Sequence, residues 1–426
     1  MTRFIFSCCL ALGIAISCRA QESGTEELHL LINETLANNP EIEAAFQKME
    51  MTDQWIPQAS SLSEPELTFK LMEIPGVQFS KAMYANVGLE QMVTYPSKLS
   101  TKKEIAYVQS EHAHHEHAEK ILEVLTQLKS SYAMLWYARK VLQLNVENQE
   151  LLQQVQKIAQ TNYAAGRASQ PEVLRVNIEL ERLKSEEASL QQEIASGEGM
   201  LRAILNRPND AAIGTVELGT FTPVQLSYSE LLAFAKEHRP MVIHDSLSII
   251  ESTLRISLMK QEYIPDFKLS LEYVTYPGQT RSTWTAMAGI TIPFAPWTLN
   301  KASARVQEAT SEEAMRRSMF KASSNMLTSL VRDAYAKVKS LEIKVQSFTL
   351  SILPQTEQSL NATLTEYRTG RTSFLMLLDT YKMYQEIKME SAMARMNYEQ
   401  GIADLEHQVG VIYLYEVTFP SQENQQ

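Results

Sequence analysis

From Ser97 to Ala165 the chain carries neither glycine nor proline. Those 69 residues, if helical throughout, reach about 100 Å at ~1.5 Å per residue. Glycine and proline are the strongest local breakers of regular structure, so the stretch predicts one uninterrupted helix. Its apolar seam of Ile121, Val124, Leu125, Leu128, Tyr132, Leu135 and Leu142 follows a heptad. A helix this long with one narrow stripe needs partner helices along its length. The stretch from Trp297 to Thr369 behaves alike, with Pro354 as its single breaker. A total of 14 glycines in 426 residues fits a chain built mainly of long helices.

The two long stretches belong to a tandem duplication. Pro40 in NNPEIEAA pairs with Pro240 in HRPMVIHD, and WIPQ at Trp55 with YIPD at Tyr263. TYPSKLSTK, with Pro96, pairs with TIPFAPWTLNK, with Pro293, and NYAAGRAS, with Gly166, pairs with EYRTGRTS, with Gly370. Four landmarks in one order, at offsets of 200, 208, 197 and 204 residues, divide the chain into repeats at 21–222 and 223–416, with a tail at 417–426. Each repeat reads as two short helices, two strands, a long helix, a tight turn and a returning helix. The long helices are expected at 97–165 and 297–369, the turns at 163–175 and 367–379.

The strands come in pairs, within 64–95 and 265–293. In the second pair Phe267, Leu269, Leu271 and Tyr273 alternate with Lys268, Ser270 and Glu272, and Trp284, Ala286, Ala288, Ile290 and Ile292 alternate with Thr283, Thr285 and Thr291. Alternation over 11 to 12 residues is the span of a tilted strand crossing a bilayer. A soluble hairpin with one wet face has the same pattern. Four strands are too few for a barrel, so the membrane reading requires several chains to pool strands.

The N-terminus, MTRFIFSCCLALGIAISCRAQ, reads as a secretory signal peptide over 1–20, with Arg3 before an apolar run and a small-residue cleavage site before Gln21. AISC is also a loose lipidation motif, which would anchor the chain through Cys18. Cys8, Cys9 and Cys18 are the only cysteines, so a cut after Ala20 leaves no disulfide and no thiolate chemistry. A net charge of -11, with no basic stripe, speaks against nucleic acid as a partner. No nucleophile–base arrangement, phosphate loop or zinc-protease motif is present, so neither catalysis nor a cofactor is expected.

Signal, duplication, strand pairs flanked by NNP and YPSK turns, and the tips YAAGRASQPEVLRV and YRTGRTSFLMLLDTY together resemble the TolC-like outer-membrane efflux channels. The likeness covers nearly the whole mature chain. It implies a mainly α protein with a small β part. Three chains would pool four strands each into a twelve-stranded outer-membrane β-barrel, and their long helical hairpins would form an α-barrel across the periplasm. The partners it implies are two further copies, a periplasmic adaptor, an inner-membrane RND-type pump and outer-membrane lipid. It implies a Gram-negative outer membrane as the location.

Gly166 and Gly370 end long helices where a left-handed cap is expected, and Ser169 with Glu172 and Pro171 opens the return helix as a capping box. These are helix-hairpin turns. The resemblance adds that Tyr163, Gly166, Arg167, Ser169, Tyr367, Gly370, Arg371 and Ser373 would dock the adaptor, and that the tips would narrow to a gate. The family commonly carries aspartates in the segment that here reads SFLMLLDTY. Asp379 matches one, and Met376 departs from the other. Their counterparts 204 residues earlier are Arg175 and Glu172, so an Arg175–Asp379 pair, tripled by symmetry, would hold the end shut.

EHAHHEHAEK, Glu111 to Lys120, holds four of the eight histidines. At 100° per residue His114 and His117 fall on the packed seam, while His112, His115, Glu116 and Glu119 share the opposite face. That face reads as solvated, or as a first-row metal site, since two histidines at i, i+3 beside carboxylates have workable ligand spacing. QMVTYPSKLSTKK and SLSEPELTFKL look closest to the Cus/Czc-type heavy-metal branch of the family. The resulting expectation is a passive export duct for heavy-metal cations. A duct for drugs or other small molecules, and a soluble periplasmic coiled-coil scaffold or metal binder, are the alternatives.

Overall fold

Prolines and short polar caps open most of the helices. The computed structural model describes residues 23–72, 76, 84–166, 168–276 and 282–414. The expected signal with its three cysteines, the tail at 417–426, and Arg167 lie outside the described residues. The order is α1 (Ser23–Asn38), α2 (Pro40–Asp53), α3 (Trp55–Ala59), β1 (Glu66–Met72), β2 (Tyr84–Val93), α4 (Pro96–Ala164) and α5 (Gln170–Ile204), followed by α6 (Tyr228–His238), α7 (Pro240–Gln261), β3 (Phe267–Thr275), β4 (Ser282–Ile290), α8 (Pro296–Ser347), a π turn (Phe348–Ile352), α9 (Leu353–Arg368) and α10 (Phe374–Val409). The element order of the first repeat is thus met again in the second.

Local chemistry accounts for the boundaries. Asn39 caps α2, its Oδ1 accepting from the N–H groups of Glu41 and Ile42 at 2.9 and 3.2 Å, with Pro40 next in line. Pro240 does the same for α7. The proline opening α8 is Pro296, not Pro293, so the counterpart of Pro96 lies 200 residues on, at the offset of Pro40 and Pro240. In the 69-residue α4 the absence of breakers has the expected result. In the second repeat Pro354 has no N–H to return to the carbonyl one turn back, and the helix widens into the π turn immediately before it.

The chain forms two compact units. One takes the described residues up to Thr35 with Ser131–Val224, the other Leu36–Ser130 with Gln225 onward. Most of the first half of the first repeat therefore packs with the second repeat. In the first unit Tyr132, Leu135, Leu152, Leu201 and Leu205 are almost wholly buried, and a fully buried Leu contributes ~1.5–3 kcal/mol. The Tyr132 hydroxyl donates to the Glu217 carbonyl at 3.0 Å and accepts from its N–H at 3.1 Å, fixing the segment after α5. In the second unit Leu231, Val331, Val338, Leu377, Tyr381, Tyr398 and Leu405 form the core of α6, α8 and α10.

The four strands make one antiparallel sheet in the order β1-β2-β3-β4, each inside its expected range. The register lines up Leu67, Leu89, Leu271 and Ala286 in one row and Phe69, Val87, Tyr273 and Trp284 in the next. All lie on one face, because alternate residues share a face. That face is bare, with Phe69 74% and Trp284 66% exposed. Among the described residues no helix is long and apolar enough to cross a membrane.

Candidate functional site

Both hairpin tips are built as the sequence predicts. α4 ends at Ala164, Gly166 takes a φ of 69°, and the Ala168 N–H returns to the Asn162 carbonyl at 3.2 Å. α9 ends at Arg368, Gly370 takes a φ of 75°, and the Arg371 N–H returns to the Glu366 carbonyl at 2.9 Å. These closures satisfy helix-end carbonyls that have no partner within the helix. The Glu172 carboxylate accepts from the Ser169 N–H at 3.3 Å and from its hydroxyl at 3.1 Å, so Glu172 is committed to the cap. The Ser373 hydroxyl accepts from the Met376 N–H at 3.3 Å and opens α10.

The tip surfaces differ. Tyr163 is 49% exposed, whereas Tyr367 is 5% exposed, its ring 6.1 Å from the buried Phe374. Gly166, Ser169, Gly370, Arg371 and Ser373 are exposed, as are Arg175 on α5 and Asp379 on α10. Leu174 and Ile178 on α5, and Leu375 and Met376 on α10, also face solvent. Each return helix thus carries an exposed apolar pair next to the candidate gate residue.

The histidine-rich turn of α4 corrects one expectation. The His112–Glu119 face is shared as predicted, but it is packed rather than open to solvent. His112 Nε2 lies 3.5 Å from Glu251 Oε2, and its ring is 4.4 Å from that of His244 on α7. Glu119 meets Arg239 at 3.5 Å and His407 of α10 at 3.2 Å. Glu116 pairs with Lys48 and lies 3.7 Å from His244. His114 is the most exposed of the four, 3.3 Å from Asp53 of α2, and His117 meets the edge of Phe46. A heptad seam describes one packing direction, while this part of α4 has neighbours on both sides.

Among the described residues no three His, Cys, Asp or Glu side chains are grouped to hold a metal ion. His112, Glu116 and Glu119 instead meet charged groups on other helices. Burial pushes the Glu251 carboxyl up, but hydrogen bonds from His112, Arg255 and Gln109 outweigh it and bring it down to about 2. Burial likewise opposes the Glu119 carboxylate, and His407 and Arg239 hold it below the usual range. Burial lowers His115 and favours the neutral ring. Sequence reasoning missed Arg239, His244, Glu251 and His407, although HRPMVIHD, used above as a repeat landmark, contains two of them.

The second face of the sheet is polar. The Lys70 ammonium and the Asn86 amide donate to Glu272 at 2.9 and 2.7 Å, and Lys268 pairs with Glu90. Gly88 makes this possible, since a Cβ there would stand 2.8 Å from Thr68 Oγ1 and 3.1 Å from Glu272 Cγ.

The comparisons with known proteins agree with this geometry. Residues 31–207 match the family model described as outer membrane efflux protein. The chain superposes on the Campylobacter jejuni CmeC outer membrane channel with a TM-score of 0.75 at 13% identity, covering 90% of this chain and 86% of that one. It superposes on the open state of the Neisseria gonorrhoeae MtrE outer membrane channel with a TM-score of 0.76 at 15% identity, covering 94% of each. For CusC the values are 0.75 and 14%, covering 93% and 96%. Identities this close to one another favour no branch and speak for the fold. No curated protein matches the chain in sequence.

Proposed function

We propose that this chain, a member of the outer membrane efflux protein family, is the outer-membrane duct of a tripartite export system for heavy-metal cations. It acts as a passive channel, not an enzyme. The observation that carries the reading is a four-stranded sheet with a bare apolar face and a polar second face, joined directly to helices too long for an ordinary domain. Such a face suits lipid hydrocarbon, and the opposite face suits a water-filled lumen. Closure of the barrel then requires β1 and β4, the edges of the chain's own sheet, to pair with other copies, since open edges are not tolerated in a bilayer. Three copies give the twelve strands that the family resemblance implies. An inner-membrane pump of the RND type would supply the energy through a periplasmic adaptor.

The tips support a docking role, because they present Tyr163, Arg371 and exposed apolar residues beside rigid turns. Arg175 and Asp379 are free of structural commitments within their own helices and serve as the closing pair, whereas Glu172 acts through its cap. Exposed ion pairs contribute only about 0–1 kcal/mol each, so the latch is weak and a bound adaptor can open it. Reconstituted Arg175→Ala channels are expected to leak more than wild type. Unchanged conductance would remove the latch.

Cargo rests on the sequence likeness of QMVTYPSKLSTKK and SLSEPELTFKL to the heavy-metal branch, not on a ligand set. The decisive test is growth of a deletion strain across copper, silver, zinc, cobalt and nickel, beside dyes and detergents. Selective metal sensitivity supports the cation reading. Sensitivity to dyes alone sinks it and leaves a small-molecule duct, and recovery of the protein in the soluble periplasm would sink the channel itself.

A further inference from the structure

At the junction of sheet and helices lies a groove of about 380 Å³ lined by Thr94, Lys98, Lys102, Glu262, Asp266, Lys301 and Arg305, among others. Four cations face two carboxylates there, and the carboxylates are already taken. Lys98 is almost buried and donates to Asp266 at 2.9 Å and to the Ile264 carbonyl at 2.7 Å. Asp266 also accepts the Tyr95 N–H at 2.9 Å. Arg305 meets Glu262 at 2.5 Å, which leaves further guanidinium donors unused. Lys102 and Lys301 are exposed and form no ion pair among the described residues. The groove therefore carries two surplus positive charges.

Its rim is apolar and aromatic. Trp297 is 84% exposed, and Phe294, Ile292 and Tyr95 are also open to solvent, each next to lining residues in sequence. Aromatic side chains beside cations at the ends of membrane-crossing strands are the pattern of a lipid–water interface. The long helices leave from the same end of the strands, so the rim stands at the leaflet that faces the periplasm.

We propose that this groove binds the phosphate of an anionic phospholipid headgroup. Lys102, Lys301 and the spare Arg305 donors hold the phosphate, while Trp297 and Phe294 lie against the glycerol and upper acyl chains. Lys98 and Asp266 position the wall and do not touch the lipid. The proposal rests on the outer-membrane reading above, because only that reading brings the rim to a leaflet.

The test uses the full chain purified in detergent, with native mass spectrometry counting retained phosphatidylglycerol against phosphatidylcholine. Wild type is expected to prefer phosphatidylglycerol, and Lys102→Gln/Lys301→Gln to lose about 30-fold of that preference, as two lysines near an anionic lipid surface imply. Lys103→Gln, one residue outside the groove, is the charge control and should change nothing. Equal retention by wild type and the double variant overturns the proposal. So does displacement by millimolar inorganic phosphate as readily as by lipid, which would make the groove a free-phosphate site. Fractionation of the same strains is scored separately: absence from the outer membrane defeats the channel reading, whereas correct location without lipid preference defeats only the headgroup site.

Discussion

At the first tip Tyr163 is half exposed beside Gly166, and at the second Tyr367, 204 residues on, is buried against Phe374. The residue matching Phe374 in the first repeat is Gln170. The inward tyrosine thus coincides with an aromatic at the opening of its return helix. The duplication kept the turn, with its glycine at positive φ and its serine cap, and let the surface diverge. One tip leaves its tyrosine open to solvent, and the other uses it as packing. The long helices diverge as well: α4 carries four histidines in one stretch, and α8 carries none.

The sharpest challenge to the comparison is Phe374→Ala. Losing a buried aromatic costs ~3–5 kcal/mol, and amide hydrogen exchange around residues 366–374 should accelerate accordingly. If the two tips exchange equally fast in wild type, they do not differ in rigidity and the comparison breaks.

Next in size is a pH effect carried by Glu251 in the histidine-bearing region. The folded-state Glu251 carboxyl stands at about 2, below its ordinary value, so its contribution is fully present above about pH 4.5 and is lost as pH falls toward 2. That contribution is roughly 2–3 kcal/mol. Thermal unfolding of wild type should show this loss, and Glu251→Gln should flatten the profile across that window.

Smaller again, Gly166→Ala and Gly370→Ala should each cost about 1 kcal/mol, from the left-handed backbone alone. Unequal costs would mean that one tip holds its turn by other contacts. Smallest on stability is Tyr163→Ala, expected below about 0.5 kcal/mol at an exposed site, yet it should weaken capture of the adaptor in a pull-down. A stability loss as large as that of Tyr367→Ala would put Tyr163 in the packing after all.

The readable parts of the sequence were those governed by local rules. Breaker-free stretches gave α4, period-two alternation marked β3 and β4 with ends that run up to three residues long, and the tip glycines and capping serines follow from backbone sterics. Pro354 was legible as a breaker but not as a π turn, because the choice between kinking and widening depends on neighbouring helices. The surroundings of His112 were not legible either. Helical periodicity sorts residues by angle but says nothing of how many neighbours a helix has, and Glu251 lies 139 positions away in sequence. The groove at Lys98 draws on three strand ends and three helices, and no single stretch of sequence shows it.

β1 and β4 each leave one side of the chain's sheet without an internal partner, and the strands between them expose an apolar face. Such a surface templates unwanted pairing. On the channel reading proposed above, the newly made chain is thus at its most vulnerable before its sheet edges pair with those of other copies. Abundance of this protein should then depend on escort through the periplasm, and overproduction should yield aggregate sooner than extra channels.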